Sequence, residues 1–202
     1  MRSHRRRAQL GLLAAFVVLI LSVVTLVWVP RQSHPIAVAG LGTRAPDFEL
    51  RDLVGRRVRL SDFRGQAVVL YFGSTRDAVT AAYDSRLNAL ARRYSGDERV
   101  RFIAVDVTRP GEARIDPITL RNEIEASQRP FPTLVDVRGA VASRYSVGDT
   151  FPLIVLINSR GRIGYRGPFD DHPDIAFTTR PFCVEALREV LGAPGATLAR
   201  SN

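Results

Sequence analysis

Cys183 is the only cysteine among 202 residues. One thiol excludes an internal disulfide, a cysteine-rich zinc site and a two-cysteine redox centre within the chain. Three roles stay open to it: one-thiol catalysis, an interchain or mixed disulfide, or service as a small buried hydrophobe. It stands near the start of an amphipathic run, Pro181 to Leu191, and a helix N-terminus lowers a thiol pKa. Other reactive types are sparse. Of His4, His34 and His172, only His172 lies in the globular part, and Gly73-Ser-Thr lacks the glycine pattern of a nucleophile elbow. Asp170-Asp-His-Pro-Asp174 could offer oxygen and imidazole ligands to a metal, or act as turn and capping residues. We read it the second way and expect no metal and no cofactor. Asp106, at the end of a strand, reads as a loop cap. All 29 basic residues are arginine, which excludes Schiff-base lysine chemistry and a phosphate-loop lysine.

These residues must be positioned by a recognisable string of elements. Phe48–Leu50 and Arg57–Leu60 alternate apolar and polar residues around Val54-Gly55, the pattern of a β-hairpin. Residues 61–65 read as a turn. Ala67 to Phe72 (AVVLYF) is a continuous apolar run, as expected for a strand buried on both faces. From Asp77 to Tyr94 the apolar residues Val79, Ala82, Tyr83, Leu87, Leu90 and Ala91 recur at helical spacing. A strand follows at Val100–Val107, a helix at 118–127, a short strand at 132–135 and a helical turn at 141–145. Leu153–Ile157 and Ile163–Tyr165 flank a turn at 158–162, and Pro181 suits the first position of a closing helix. Strands alternating with helices predict an α/β domain with a central mixed sheet flanked by helices. Pattern alone leaves a thioredoxin-like and a small flavodoxin-like sheet both open.

The composition, 46% hydrophobic and 24% charged, excludes disordered and collagen-like classes, and the length suits one domain plus an extension. The formal charge of +9 is uneven. Arg2, Arg5, Arg6, Arg7 and Arg31 lie in the first 31 residues, which hold no acid, leaving 24 arginines against 20 acids elsewhere. No nucleic-acid partner is therefore expected. Residues 8–29 carry no charge, and about 20 apolar residues cover a bilayer core of roughly 30 Å. We read 1–7 as a basic cytoplasmic tail, 8–29 as a transmembrane signal-anchor and 30–42 as a linker. A domain at 43–194 and a flexible tail at 195–202 complete the organisation. A cleaved signal peptide ending near Ala37-Val-Ala39 is the rival reading of the N-terminus. Arginines before the span place the N-terminus on the cytoplasmic side of the cytoplasmic membrane and the domain on the periplasmic or extracytoplasmic side.

Gly42-Thr-Arg-Ala-Pro-Asp-Phe-Glu-Leu50, Val54 to Gly65 and Ala67 to Phe72 together resemble the opening of redoxin domains. These are the alkyl-hydroperoxide-reductase/thiol-specific-antioxidant branch of the thioredoxin-like fold. Thr150-Phe-Pro-Leu-Ile-Val-Leu-Ile resembles that family's cis-proline and strand, and Tyr165 to Asp171 resembles the segment that follows in membrane-associated bacterial redoxins. The resemblance implies a thioredoxin-like fold with an N-terminal hairpin, preceded here by one transmembrane helix. It also makes Pro152 the candidate cis-proline. In the family, the loop after the matching strand carries the reactive cysteine. Here that loop reads Gly73, Ser74, Thr75, Arg76, Asp77, without sulfur, and a hydroxyl is hardly ionised near neutral pH. Tyr71 to Thr75 is also similar to the start of the copper loop of membrane-anchored cytochrome-oxidase assembly chaperones. Asp77 and Ala81 stand there in place of its two cysteines, and thiolates are what select copper(I).

Three functional expectations follow. The first is a degenerate redoxin that binds or scaffolds a protein partner. The second is an active thiol-disulfide oxidoreductase or peroxidase-type protein using Cys183 or a partner's thiol. The third is an unrelated activity, such as metal-assisted hydrolysis near Asp170–Asp174, grafted onto the fold.

Overall fold

The computed structural model describes residues 41–107, 116–148 and 151–192. The readings made for the N-terminal tail, the membrane span, nearly all of the linker and the C-terminal tail lie outside the described residues. Among the described residues no helix is long and apolar enough to cross a membrane.

Strands β1 (Glu49–Asp52) and β2 (Arg57–Arg59) form the expected antiparallel hairpin, with Leu50 opposite Val58. Asp52 closes its turn by accepting the Val54 and Arg56 amides at 3.0 and 2.8 Å. Gly55 there adopts φ +85°, which side chains with a Cβ rarely tolerate. The segment read as a turn at 61–65 instead begins with a 3-10 helix, Leu60–Phe63, tied by the Asp62 carboxylate to the Arg59 amide at 2.9 Å.

The central strand β3 (Ala67–Gly73) is buried along its whole length and leads to helix α1 (Ala78–Arg93). Then come β4 (Val100–Val107), α2 (Pro117–Ala126), β5 (Thr133–Asp136) and the short α3 (Ala140–Arg144). The hairpin β6 (Leu153–Ile157) and β7 (Ile163–Gly167) precedes a 3-10 turn at Ile175–Phe177 and helix α4 (Phe182–Val190). Pro181 stands one position before α4 rather than within it.

The strands form one seven-stranded sheet in the order β2-β1-β5-β4-β3-β6-β7. β3 pairs in parallel with β4 and β4 with β5, whereas β6 runs antiparallel to β3. That antiparallel hairpin beside a parallel centre is the thioredoxin-like arrangement and excludes the all-parallel flavodoxin-like one. Successive β3 side chains alternate between two cores. Val69 and Tyr71 pack with Leu87 of α1 and Leu187 of α4, while Val68, Leu70 and Phe72 pack with Phe48, Val141 and Tyr145. Burying a side chain such as Leu87 or Leu187 is worth about 1.5–3 kcal/mol each, so the two cores fix the sheet from both faces. The C-terminal ends of β3 and β4 are thereby held rigidly, and the loop that could do chemistry hangs from them.

Candidate functional site

Gly73 ends β3 opposite Asp106 of β4. A Cβ built on Gly73 would lie 2.7 Å from Cγ2 of Thr80, so glycine is what lets the first turn of α1 pack against the strand end. Asp77 starts the helix, its carboxylate accepting the Thr80 amide at 2.8 Å. The loop between them is closed on itself. The Ser74 amide points to the Thr80 hydroxyl at 3.4 Å and the Arg76 amide to the Ser74 hydroxyl at 3.4 Å. The Asp77 amide donates to the Ser74 carbonyl at 3.0 Å. The Thr75 amide donates to Asp106 Oδ2 at 2.9 Å.

Asp106 is 5% exposed, and burial pushes its carboxyl above the usual carboxylate range, opposed by the Thr75 amide. Its role is larger than the loop cap expected from the sequence, because it reaches across from the neighbouring strand to hold the loop. Below it lies a polar cluster the sequence did not reveal. The Tyr71 hydroxyl donates to the Thr80 carbonyl at 3.0 Å, and burial drives its pKa far upward. Arg129 grips Asp84 in a two-pronged pair at 2.9 and 3.2 Å and lies 5.5 Å from the Tyr71 ring centroid. Burial raises the Asp84 carboxyl, with Arg129 pulling the other way.

The Phe151–Pro152 peptide is cis. Leu153 pairs with Phe72, so the antiparallel register carries Pro152 to the level of Gly73. Pro152 and the loop Gly73–Asp77 therefore share one end of the sheet, as the family frame requires.

Cys183 does not join them. Its side chain is wholly buried in the core shared by α1 and α4, and its amide donates to the Phe169 carbonyl at 2.9 Å. Burial, reinforced by the nearby Asp170 carboxylate, pushes the thiol up to about 12. Of the three roles open to Cys183, this is the small buried hydrophobe, and desolvation outweighs any gain from the start of α4.

The Asp170–Asp174 segment is likewise structural. Asp170 forms a buried ion pair with Arg86, whose guanidinium also donates to the His172 carbonyl and the Thr178 hydroxyl, both at 3.1 Å. Asp171 accepts the Thr179 hydroxyl and the Thr179 and Arg180 amides, the amides at 2.9 and 3.0 Å, and these bonds, the hydroxyl's foremost, bring its carboxyl down to about 2. Among the described residues no three potential ligands converge on a metal position.

The sequence pattern of the AhpC/TSA family matches residues 41–166, more than half of the chain. The chain is 32% identical over 123 residues to the thiol-disulfide oxidoreductase ResA of Geobacillus thermodenitrificans (strain NG80-2). That match covers 61% of this chain and 66% of the relative, just under two thirds of its length. A solved structure of a hypothetical protein from Sinorhizobium meliloti 1021 is similar with a TM-score of 0.64 and 26% identity, over 78% of this chain and 87% of that one. A thiol-disulfide oxidoreductase from Bacteroides fragilis NCTC 9343 shares the fold, with a TM-score of 0.55 and 19% identity over 62% of this chain and 90% of that one.

Proposed function

The chain belongs to the AhpC/TSA family, and we propose that it is a member that keeps the frame while having lost the thiol chemistry. It acts as a binding or scaffold module, tethered to the cytoplasmic membrane with its domain on the extracytoplasmic side. The observation that carries this reading is the state of the loop Gly73–Asp77. A reactive thiolate needs a sulfur and free N–H groups around it. This loop has no sulfur, and its Ser74, Thr75, Arg76 and Asp77 amides all face acceptors of the chain itself. The Asp77 carboxylate already occupies the start of α1.

The tether rests on the uncharged stretch 8–29 between Arg7 and Arg31. The family resemblance makes Pro152, cis and level with the loop, the place where an extended segment of a protein partner would be received. Hydroperoxide consumption tests the loss of chemistry. The full chain, reduced and supplied with a thiol regenerant, is expected to consume hydroperoxide no faster than the regenerant alone. Catalytic consumption at stoichiometric excess of peroxide would refute the reading.

A further inference from the structure

At the end of the sheet opposite the Gly73–Asp77 loop, a cavity of about 230 Å³ opens between the start of β3, the end of β6 and the chain entering the domain. Ala45, Val68 and Ile157 give it an apolar floor. Arg44, Arg64 and Arg160 line it from three separate segments, with one carboxylate, Asp47, among them. The rest of the wall is tied up internally. Asp47 Oδ1 accepts the Phe48 and Ser61 amides at 3.0 and 3.1 Å. Asn158 Oδ1 accepts the Arg160 and Arg162 amides, both at 3.0 Å, and the Ala45 amide donates to the Gly161 carbonyl at 2.9 Å. Arg162, just outside, spends its guanidinium on the Gly42 carbonyl at 2.6 Å. The side chains of Arg44, Arg64 and Arg160 make no ion pair among the described residues.

We propose that this cavity binds a phosphate-type oxyanion through Arg44, Arg64 and Arg160. The planar guanidinium fork matches paired oxygens, and three forks on one cavity suit a tetrahedral anion better than a planar carboxylate. Ser61 and Ser159 line the same space. The volume falls below the roughly 300–1,000 Å³ of drug-sized sites, which favours a small anion or a headgroup over a large organic ligand. Two sources carry that chemistry: a soluble phosphate and the headgroup of an anionic phospholipid. The site stands whatever the loop Gly73–Asp77 does.

The test uses the full chain, 15N-labelled, in nanodiscs. In one arm the lipid is phosphatidylcholine and inorganic phosphate is titrated against chloride at matched ionic strength. In the other arm phosphatidylglycerol replaces part of the phosphatidylcholine. Saturable amide shifts centred on Arg44, Ser61, Arg64 and Gly161 are expected in at least one arm, the first arm marking soluble phosphate and the second a headgroup. The triple substitution Arg44→Gln/Arg64→Gln/Arg160→Gln is expected to weaken the response by about tenfold or more, since it removes the charge-assisted contacts to the anion. Arg160→Gln alone, on an exposed turn, is expected to give a smaller loss in the same direction. No saturable shift in either arm, shifts spread over the whole domain, or shifts that survive the triple substitution would each overturn the proposal.

Discussion

The amide of Thr75 donates to the buried carboxylate of Asp106 at 2.9 Å across 31 positions of sequence. This one bond ties the loop after β3 to the end of β4 and closes the surface on which a redoxin thiolate would rest. Asp106→Ala removes the acceptor and leaves a half-buried amide unpaired. The expected cost is about 1–3 kcal/mol of unfolding free energy by chemical denaturation, with Asp106→Asn closer to wild type because its carboxamide oxygen can still accept. An alanine variant as stable as the parent would show that the bond does not hold the loop.

Gly73 and Thr80 form the second fixed contact of the loop. Gly73→Ala places a methyl 2.7 Å from Thr80 Cγ2, a rigid β-branched neighbour on a buried helix face. It is expected to cost about 1–3 kcal/mol. Adding Thr80→Ser, which deletes Cγ2 and keeps the hydroxyl facing the Ser74 amide, should restore part of the loss. Additive destabilisation in the double variant would place the strain elsewhere.

The ion pair between Arg86 and Asp170 anchors the segment 168–180 to α1, and both side chains are largely buried. Asp170→Ala leaves the guanidinium buried with only neutral partners and is expected to cost about 3–5 kcal/mol. Amide exchange at Thr178, Thr179 and Arg180 should accelerate with it. Unchanged exchange there would mean the segment is held by Asp171 alone.

Cys183 supplies the pH dependence. Its thiol is held near 12 in the folded chain against an ordinary value of 9.0. The folded state therefore keeps a proton that the unfolded state loses. Stability from this group is fully present below about pH 9 and declines as pH rises from there towards 12. At neutral pH the thiol should resist a disulfide reagent until denaturant is added. Rapid labelling of the folded protein would contradict its burial.

Much of the frame was legible in the sequence. The run AVVLYF reads as a strand covered on both faces, and the apolar spacing from Val79 to Ala91 reads as a helix. Glycine at position 55 and the turn Asn158-Ser-Arg-Gly161 after Ile157 marked the two hairpins. The missing sulfur in Gly73–Asp77 was visible once the redoxin frame was laid over those elements. The supports of the loop were not visible, since Asp106 meets Thr75, Arg129 meets Asp84 and Arg86 meets Asp170 only through sheet register and helix packing. An arginine such as Arg129 carries no local sign that it will be buried. The sequence left three roles open to Cys183, and depth, set by β7 and Phe169, makes it the small buried hydrophobe among them.

The central claim, a thioredoxin-like frame without thiol turnover, is tested most directly by reduction of insulin disulfides. The full chain and its Cys183→Ala variant are compared at equal concentration with dithiothreitol as electron source, their folds matched by circular dichroism. The account expects both proteins to precipitate insulin at the rate of dithiothreitol alone. Acceleration by the wild type that the variant lacks would contradict it and make Cys183 a working thiol.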